Sequence, residues 1–409
     1  VHTFSSLKRH RNYRLYFFGQ LISQLGSWQQ NAAQAWLVLE LTGSAQAVGV
    51  VGFCLWMPYA IFGLFGGAVA DRFDRRRLLL VTQSALAFCA FALAVVTYLH
   101  LANVWVIDAI AALRGTILVL NNPSRQALIV QLVGRDELPN AIAINSSLIN
   151  ATRIVGPALA GILIATTGVA TCFLLNAISF LAVIAAIIVM RPAEFRSATG
   201  GRPRLPLLHS VAEGLRYARR RKTVAVALGM LFVVSLVSIN FSVLLPVVAR
   251  LTLHGGAQIF GAITACFGAG AFAGALTTAS RGRASARVLI AAATGLGVAE
   301  LILAAQSSVL GVSLALFATG ICYTTYTANT NALVQMATPG FLQGRIAGLY
   351  GYLFLASGPF GSLLVGYLSE RFGTGSAFLA GGIAALCMAL VGVVTQPWPM
   401  PHRKRAIRP

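Results

Sequence analysis

The chain has 409 residues, 57% of them apolar and only 10% charged, with a mean hydropathy of +0.78. A soluble fold carries about 25% charged residues to cover its surface, so composition excludes a string of soluble domains and points to a polytopic membrane protein. The net charge of +21 sits in short clusters between apolar stretches, not on a soluble domain with groove-entering elements, which argues against nucleic acid as a partner.

A spanning helix needs about 20 mostly apolar residues. Twelve segments meet that length: residues 13–39, 46–70, 78–98, 103–124, 139–166, 170–190, 223–249, 257–279, 287–306, 309–332, 344–368 and 374–396. Strand-type alternation is absent, and unpaired backbone is too costly in lipid, so all twelve are expected to be helices. The segment Val1–Arg14 is basic and polar, and the apolar stretch after it is too long for a cleavable leader. Span 1 is therefore expected to stay as a membrane helix. At 100° per residue its Gln20, Gln24, Ser27, Asn31 and Gln34 fall within about 40° of one direction.

Span 2 ends in GGAVADRFDRRR (Gly66–Arg77). Here Asp71 is placed to meet the positive N-terminal end of a neighbouring helix. Arg72 and Arg75 are placed to pair with acids such as Asp136 or Glu137. Contacts of this kind exist in only one relative orientation of two bundles, so Gly67, Asp71, Arg72, Asp74, Arg75 and Arg76 read as a conformational latch. A plain topogenic loop would need only the arginines. On span 4, Arg114, Asn121 and Arg125 align, and Asp108 lies roughly 120° around from Arg114. Arg153 is near the middle of span 5. Ionisable residues inside spans are functional candidates by default. The alternative for the two arginines is that they tie spans 4 and 5 together through backbone carbonyls.

The long interruption at residues 191–222 begins with the linker composition RPAEFRSATGGRPRLP. It continues as a basic stretch in which Leu208, Val211, Leu215 and Ala218 recur at helical spacing. That pattern fits an amphipathic helix on the membrane surface, or else a solvated linker. Residues 1–190 and 223–396 then form two six-helix bundles, with residues 397–409 as a tail. Span 7 carries a weak row of Ser235, Ser238 and Ser242. After span 8, GALTTASRGR (Gly274–Arg283) is a degraded copy of the first-half loop, without its acids. Glu300 lies in span 9, and span 10 carries a stripe of Thr319, Tyr323, Tyr326 and Thr330. The halves also repeat each other elsewhere. The segment ALIVQLVGRDELPN precedes RIVGP in span 5, and ALVQMATPGFLQG precedes LASGP in span 11. Internal repeats meeting at a midplane site are typical of secondary transporters.

With the N-terminus inside, the cytoplasmic segments hold 27 of the 31 Lys and Arg residues, and the outer loops hold Arg250 and Arg371 alone. By the positive-inside rule both termini are cytoplasmic. The six cysteines fall inside apolar stretches without CxxC spacing, so neither disulfides nor a zinc site is expected. No phosphate-binding G-x-x-x-x-G-K-[ST] loop is present, which excludes an ATP-driven pump within this chain. All six histidines lie outside the span cores and no G-x-S-x-G elbow occurs, so no metal, no cofactor and no enzyme activity are expected.

The loop after span 2 resembles the G-x-x-x-D-R-x-x-R/K-R signature of the major facilitator superfamily. LTGSAQAVG (Leu41–Gly49), residues 122–161 and GRIAGL (Gly344–Leu349) are similar to the drug:proton antiporter branch that includes enterobactin exporters and macrolide efflux proteins. That resemblance implies a twelve-helix, all-α fold of two pseudo-symmetric bundles, with spans 1, 4, 7 and 10 lining a central cavity. These four spans are the ones that carry the polar stripes. It implies that Gly156 and Pro157, with Gly161 and the second-half Gly358 and Pro359, belong to an antiporter-associated bend. It further implies a monomeric bacterial cytoplasmic-membrane exporter of a siderophore or a drug, exchanging cargo for protons, with lipid around it. Asp108 is the leading proton carboxyl and Glu300 the fallback; Glu300 in a peripheral span also reads as a structural or lipid-adjacent group. The alternatives are an importer of the same fold or a non-transporting sensor. The absence of an acid in span 1, beside two deep arginines, suits an anionic or neutral amphipathic solute.

Overall fold

In a computed structural model, residues 5–70, 72–134, 136–195, 207–281, 284–340 and 342–395 are described, and among them no strand occurs. The first half holds α1 (Ser5–Arg9), α2 (Arg11–Thr42), α3 (Ala45–Ala70), α4 (Arg75–Tyr98), α5 (Val104–Val133), α6 (Leu138–Thr167) and α7 (Val169–Val189). Next comes α8 (Leu207–Arg220). The second half holds α9 (Lys222–Val237), α10 (Phe241–Val247), α11 (Ala257–Arg281), α12 (Ala286–Ala304), α13 (Val309–Met336), α14 (Gln343–Ala356), α15 (Gly358–Phe372) and α16 (Thr374–Thr395).

Among the described residues, eleven rods are long and apolar enough to cross a membrane. The twelfth, α2, has 32 residues but too many glutamines to pass as apolar. It buries them inward instead: Gln20, Gln29, Gln30 and Gln34 are all shielded from solvent. Asn176 of α7 donates to Gln30, and Gln29 donates to the Cys172 carbonyl. Neighbouring helices thus answer part of this amide surface, where lipid could offer no partner, while the buried amide nitrogens of Gln20 and Gln30 are left without one. Apolar side chains such as Phe88 and Leu390 stand exposed on the outer faces, where hydrocarbon would cover them.

Two spans are broken. Span 7 is split into α9 and α10 around Ser238–Asn240, where Asn240 Nδ2 donates to the Leu236 carbonyl (2.9 Å) and holds the pieces together. A single π-turn over Val248–Thr252 ends it. Span 11 is split into α14 and α15 at Ser357, with Pro359 in the first turn of α15, where a missing N–H costs no helical bond. The two breaks meet, because Gly361 packs directly on the Leu236 carbonyl and the Asn240 amide.

Helix α8 docks on the second half rather than lying on lipid alone. Its Ala218 is buried with Val224, Leu228 and Ile346, Tyr217 Oη donates to the Ala337 carbonyl (2.7 Å), and Glu213 pairs with Arg345. Leu215, expected on the apolar face, is exposed. The side chains of Leu208 and Val211 lie outside the described residues.

Across the halves, α3 packs on α14 and α15, α6 on α11, and α2 on α10. At the end of the molecule away from the arginine clusters these contacts are close. An added methyl on Gly49 would come 2.5 Å from the Ser362 carbonyl, and one on Gly366 would come 3.1 Å from Gly49 Cα. Gly161 and Gly261 meet backbone to backbone, and the Trp36 and Phe260 rings stack at 5.4 Å. Glu370 of α15 closes this far end. Its Oε2 accepts from Ser44 Oγ (3.1 Å) and from the backbone N–H groups of Ala45 (2.7 Å) and Gln46 (3.3 Å), capping the start of α3 from the opposite half.

Candidate functional site

A cavity of about 720 Å³ lies between the halves and opens toward the arginine-rich end, within the size range of sites for drug-sized ligands. Helix α2 contributes Ser23, Gln24, Ser27, Trp28 and Asn31. Helix α5 contributes Arg114, Asn121 and Arg125, and α6 contributes Asn145 and Arg153. Trp56 and Tyr59 of α3 and Tyr352 of α14 add aromatic wall, and Gly214 and Arg345 frame the mouth.

The two deep arginines are held differently. Arg114 is buried, and its Nη1 donates to Gln34 Oε1 (2.8 Å) while Nη2 donates to Asn31 Oδ1 (2.9 Å). Both partners are neutral amides of α2, so the guanidinium is oriented but not neutralised. Gln34 is fixed in turn by donating to the Ile107 carbonyl (3.4 Å). Arg153 spans the halves. It lies 5.0 Å from the centre of the Trp28 ring, a cation–π distance, and its Nη1 donates to Tyr323 Oη (3.0 Å) on α13. Tyr323 belongs to an aromatic cluster with Phe241 and Phe267. Neither arginine bonds a backbone carbonyl among these contacts.

The polar stripes of α2 and α5 thus converge on the cavity. Gln20 is buried and does not line it, and Asn121 donates to Thr82 on α4 (2.9 Å) while still lining the wall. The stripes of spans 7 and 10 do not line it. Ser242 is exposed, Ser235 is buried, and Ser238 turns away to donate to Glu300 Oε1 (2.6 Å). Thr319 and Thr330 donate to carbonyls four residues back, Ala315 and Tyr326, and Tyr326 is fully buried. Only Tyr323 of that stripe reaches the site, through Arg153.

The embedded acids stand outside the cavity wall. Asp108 is buried in α5, with Oδ1 lacking a partner, and no ion pair to Arg114 forms. Glu300 is wholly buried against the break in span 7, so it is not lipid-adjacent. Its Oε2 has no partner and faces Gly381 of α16. Glu40, at the far end of α2, accepts from Trp36 Nε1 (2.6 Å).

At the arginine-rich end, Asp71 lies outside the described residues, and Gly67 lines the cavity. Asp74 caps α4, accepting from the Arg77 N–H (2.9 Å). Arg76 donates to the Ile187 (3.1 Å) and Ile188 (3.0 Å) carbonyls at the end of α7. Arg72 is exposed. Glu137, expected to pair with Arg72 or Arg75, instead accepts from Arg9 Nη1 (2.7 Å) and Ser5 Oγ (3.0 Å), because α1 folds back over the start of α6. Desolvation acts to raise the Glu137 carboxyl, but those two hydrogen bonds and the charges of Arg9 and His10 outweigh it and hold it below its ordinary value. Gly156 packs on Trp28 Cβ and the Gln29 N–H, Pro157 stays inside an unbroken α6, and Gly358 faces Trp56.

Sequence reasoning missed the aromatic wall of Trp28, Trp56, Tyr59 and Tyr352. The polar periodicity of α2 already placed Trp28 next to Ser27, but an aromatic residue in an apolar helix carries no distinguishing signal.

A family model described as transmembrane secretion effector matches residues 2–406. The chain belongs to that family. This transmembrane secretion effector is therefore a transporter of the major facilitator type and not an enzyme. It is 26% identical over 387 residues to the staphyloferrin A transporter of Staphylococcus aureus, covering 92% of this chain and 94% of the relative. It is 27% identical over 389 residues to the multidrug efflux pump Tap of Mycobacterium tuberculosis, covering 93% and 92%. Macrolide efflux protein A of Streptococcus pyogenes is 24% identical over 408 residues, covering 94% and 97%. The fold is shared with solved transporters at low identity. A POT family transporter in complex with a thioalcohol-conjugated peptide superposes with a TM-score of 0.73 at 12% identity, covering 95% of this chain and 96% of that one. A bacterial homologue of the lysosomal transporter Spinster, in an inward-facing and unoccupied conformation, gives 0.70 at 13%, covering 96% and 99%. The secretion effector is thus a multi-pass efflux transporter of a small molecule.

Proposed function

We propose that this secretion effector exports a small amphipathic molecule, a siderophore or a drug such as a macrolide, across the bacterial cytoplasmic membrane by alternating access, in exchange for protons. One observation carries the reading: the cavity opens at the arginine-rich end and is sealed at the far end by contacts between halves. With the arginine-rich end and both termini cytoplasmic, the structure is the cargo-loading state. The halves, residues 1–190 and 223–396, rock about the site as units joined by residues 191–222. The loop through Asp71 latches the opposite state, and the protein works as a monomer in lipid.

Proton coupling falls to an embedded carboxyl. Asp108 shares α5 with Arg114, so its protonation changes the field on a cavity cation held only by amides. Glu300 sits at the break in span 7, where a change of charge meets the most adaptable backbone of the second half. The test is cargo-driven proton release from proteoliposomes. The parent releases protons, and Asp108→Asn abolishes release while cargo binding persists. Full coupling in Asp108→Asn with loss in Glu300→Gln moves the role to Glu300. No proton movement in the parent ends the antiport reading.

A further inference from the structure

The cavity's charge is one-sided. Among the described residues its wall holds four arginines, 114, 125, 153 and 345, and no aspartate or glutamate. Arg345 at the mouth is answered by Glu213, and Arg125, half-buried and about three helical turns nearer the mouth than Arg114, lies beside the buried Tyr16 of α2. The deep pair is answered only by neutral groups: the Gln34 and Asn31 amides around Arg114, and the Tyr323 hydroxyl and the Trp28 ring around Arg153. Burying a cation without a counter-charge is costly, and evolution of a site for cations or neutral solutes has no use for that cost. A guanidinium fork matches an oxyacid group in charge and in geometry. Trp28, Trp56, Tyr59 and Tyr352 add flat apolar surface beside it.

We infer that the resident cargo is an organic dianion: two oxyacid charges on a flat, apolar body, one answered by Arg114 and the other by Arg153, which narrows the export reading to acidic cargo such as an oxyacid siderophore and away from basic drugs such as macrolides. A monoanion would leave one deep cation unanswered, and a cation would add to the repulsion already there. Because Arg153 reaches Tyr323 on the opposite half, an oxyanion that takes over this guanidinium also competes with a contact between the halves, which ties cargo binding to their relative movement. The inference rests on the cavity being the cargo site, as the export reading holds, but not on the direction of transport or on proton coupling.

The experiment is equilibrium binding by calorimetry to the full-length protein in lipid nanodiscs, with three probes on one scaffold: naphthalene-2,6-dicarboxylate, its diamide and the corresponding bis(aminomethyl) dication. A fourth probe, naphthalene-2,6-disulfonate, sets sulfonate against carboxylate at the same charge and spacing. The expected order places both dianions at least tenfold tighter than the diamide, with no binding of the dication. The ratio of the two dianions identifies the preferred oxyacid. Loss of a charged hydrogen bond weakens binding by about 10- to 150-fold, so Arg114→Gln and Arg153→Gln each lower dicarboxylate affinity by that factor and leave diamide affinity unchanged. Should Arg114→Gln fail to fold, Arg153→Gln and Arg153→Lys carry the test, since Arg153 is only half-buried. Diamide or dication binding as tight as the dianions, or dianion affinity unchanged in the arginine variants, overturns the inference. Neither result touches the direction of transport, which the vesicle assay reads separately.

Discussion

At the scale of single residues, what matters is which polar groups are answered and by what. Glu300 has one oxygen bonded to Ser238 and the other facing Gly381. A methyl added to Gly381 would lie 2.5 Å from that oxygen and 3.2 Å from Ser238 Cα. Gly381→Ala is therefore expected to destabilise the protein by about 1–3 kcal/mol, as overpacking does. The shorter Glu300→Asp should recover part of that loss, and thermal unfolding of the double variant measures the coupling. No recovery would mean that the carboxyl is not the obstacle. On the proposed latch, Asp71→Asn is expected to keep the fold and the membrane insertion but to slow transport. Unchanged flux at equal expression would remove the latch.

At the scale of elements, the far-end seal is a helix cap supplied in trans. Glu370 satisfies N–H groups at the start of α3 that no residue of α3 can reach, and its charge opposes the positive end of that helix. An N-cap is worth about 1 kcal/mol, so Glu370→Ala should shift the population away from the sealed far end about fivefold. Cysteine accessibility at Ser362, buried against Gly49 and Gly52 in the sealed state, measures this shift with and without the substitution; equal labelling rates would show that Glu370 does not hold the seal. The sequence made the rods legible, because twelve stretches of the right length can hardly be anything else in lipid. The α2 and α5 stripes were legible for the same reason, since glutamine, asparagine and arginine at helical spacing have too many polar atoms to satisfy within their own helix. The α13 stripe misled because threonine hydroxyls bond back to the carbonyl four residues earlier, so their spacing says nothing about a cavity. The break at Ser238–Asn240 leaves no trace in hydropathy, which runs straight through it, whereas the break at Ser357 adjoins Gly358 and Pro359, where the family resemblance implies a bend. The Glu370 cap joins residues more than three hundred positions apart, a distance that no local pattern bridges.

At the scale of the whole molecule, the two ends carry opposite states of the same interface. Small residues and a borrowed cap close one end, while the other stands open around a cavity lined by arginines. Moving one elementary charge through the membrane potential is worth about 2.3 kcal/mol per 100 mV. If the cargo is a dianion leaving while protons enter, both movements run downhill in an inside-negative cell. Efflux from vesicles should therefore accelerate when a potassium gradient with valinomycin imposes an inside-negative potential; insensitive or slowed efflux contradicts electrogenic export. The central claim is that one end opens as the other closes. Spin-label distances in nanodiscs test it most directly, with one pair at Gln46 and Arg371 across the far end and another at Gln126 and Gly348 across the cavity mouth. Between acidic and alkaline pH, with and without naphthalene-2,6-dicarboxylate, every lengthening at the far end should be matched by a shortening at the mouth. Two ends that open together, or a far end that stays closed under every condition, would contradict alternating access.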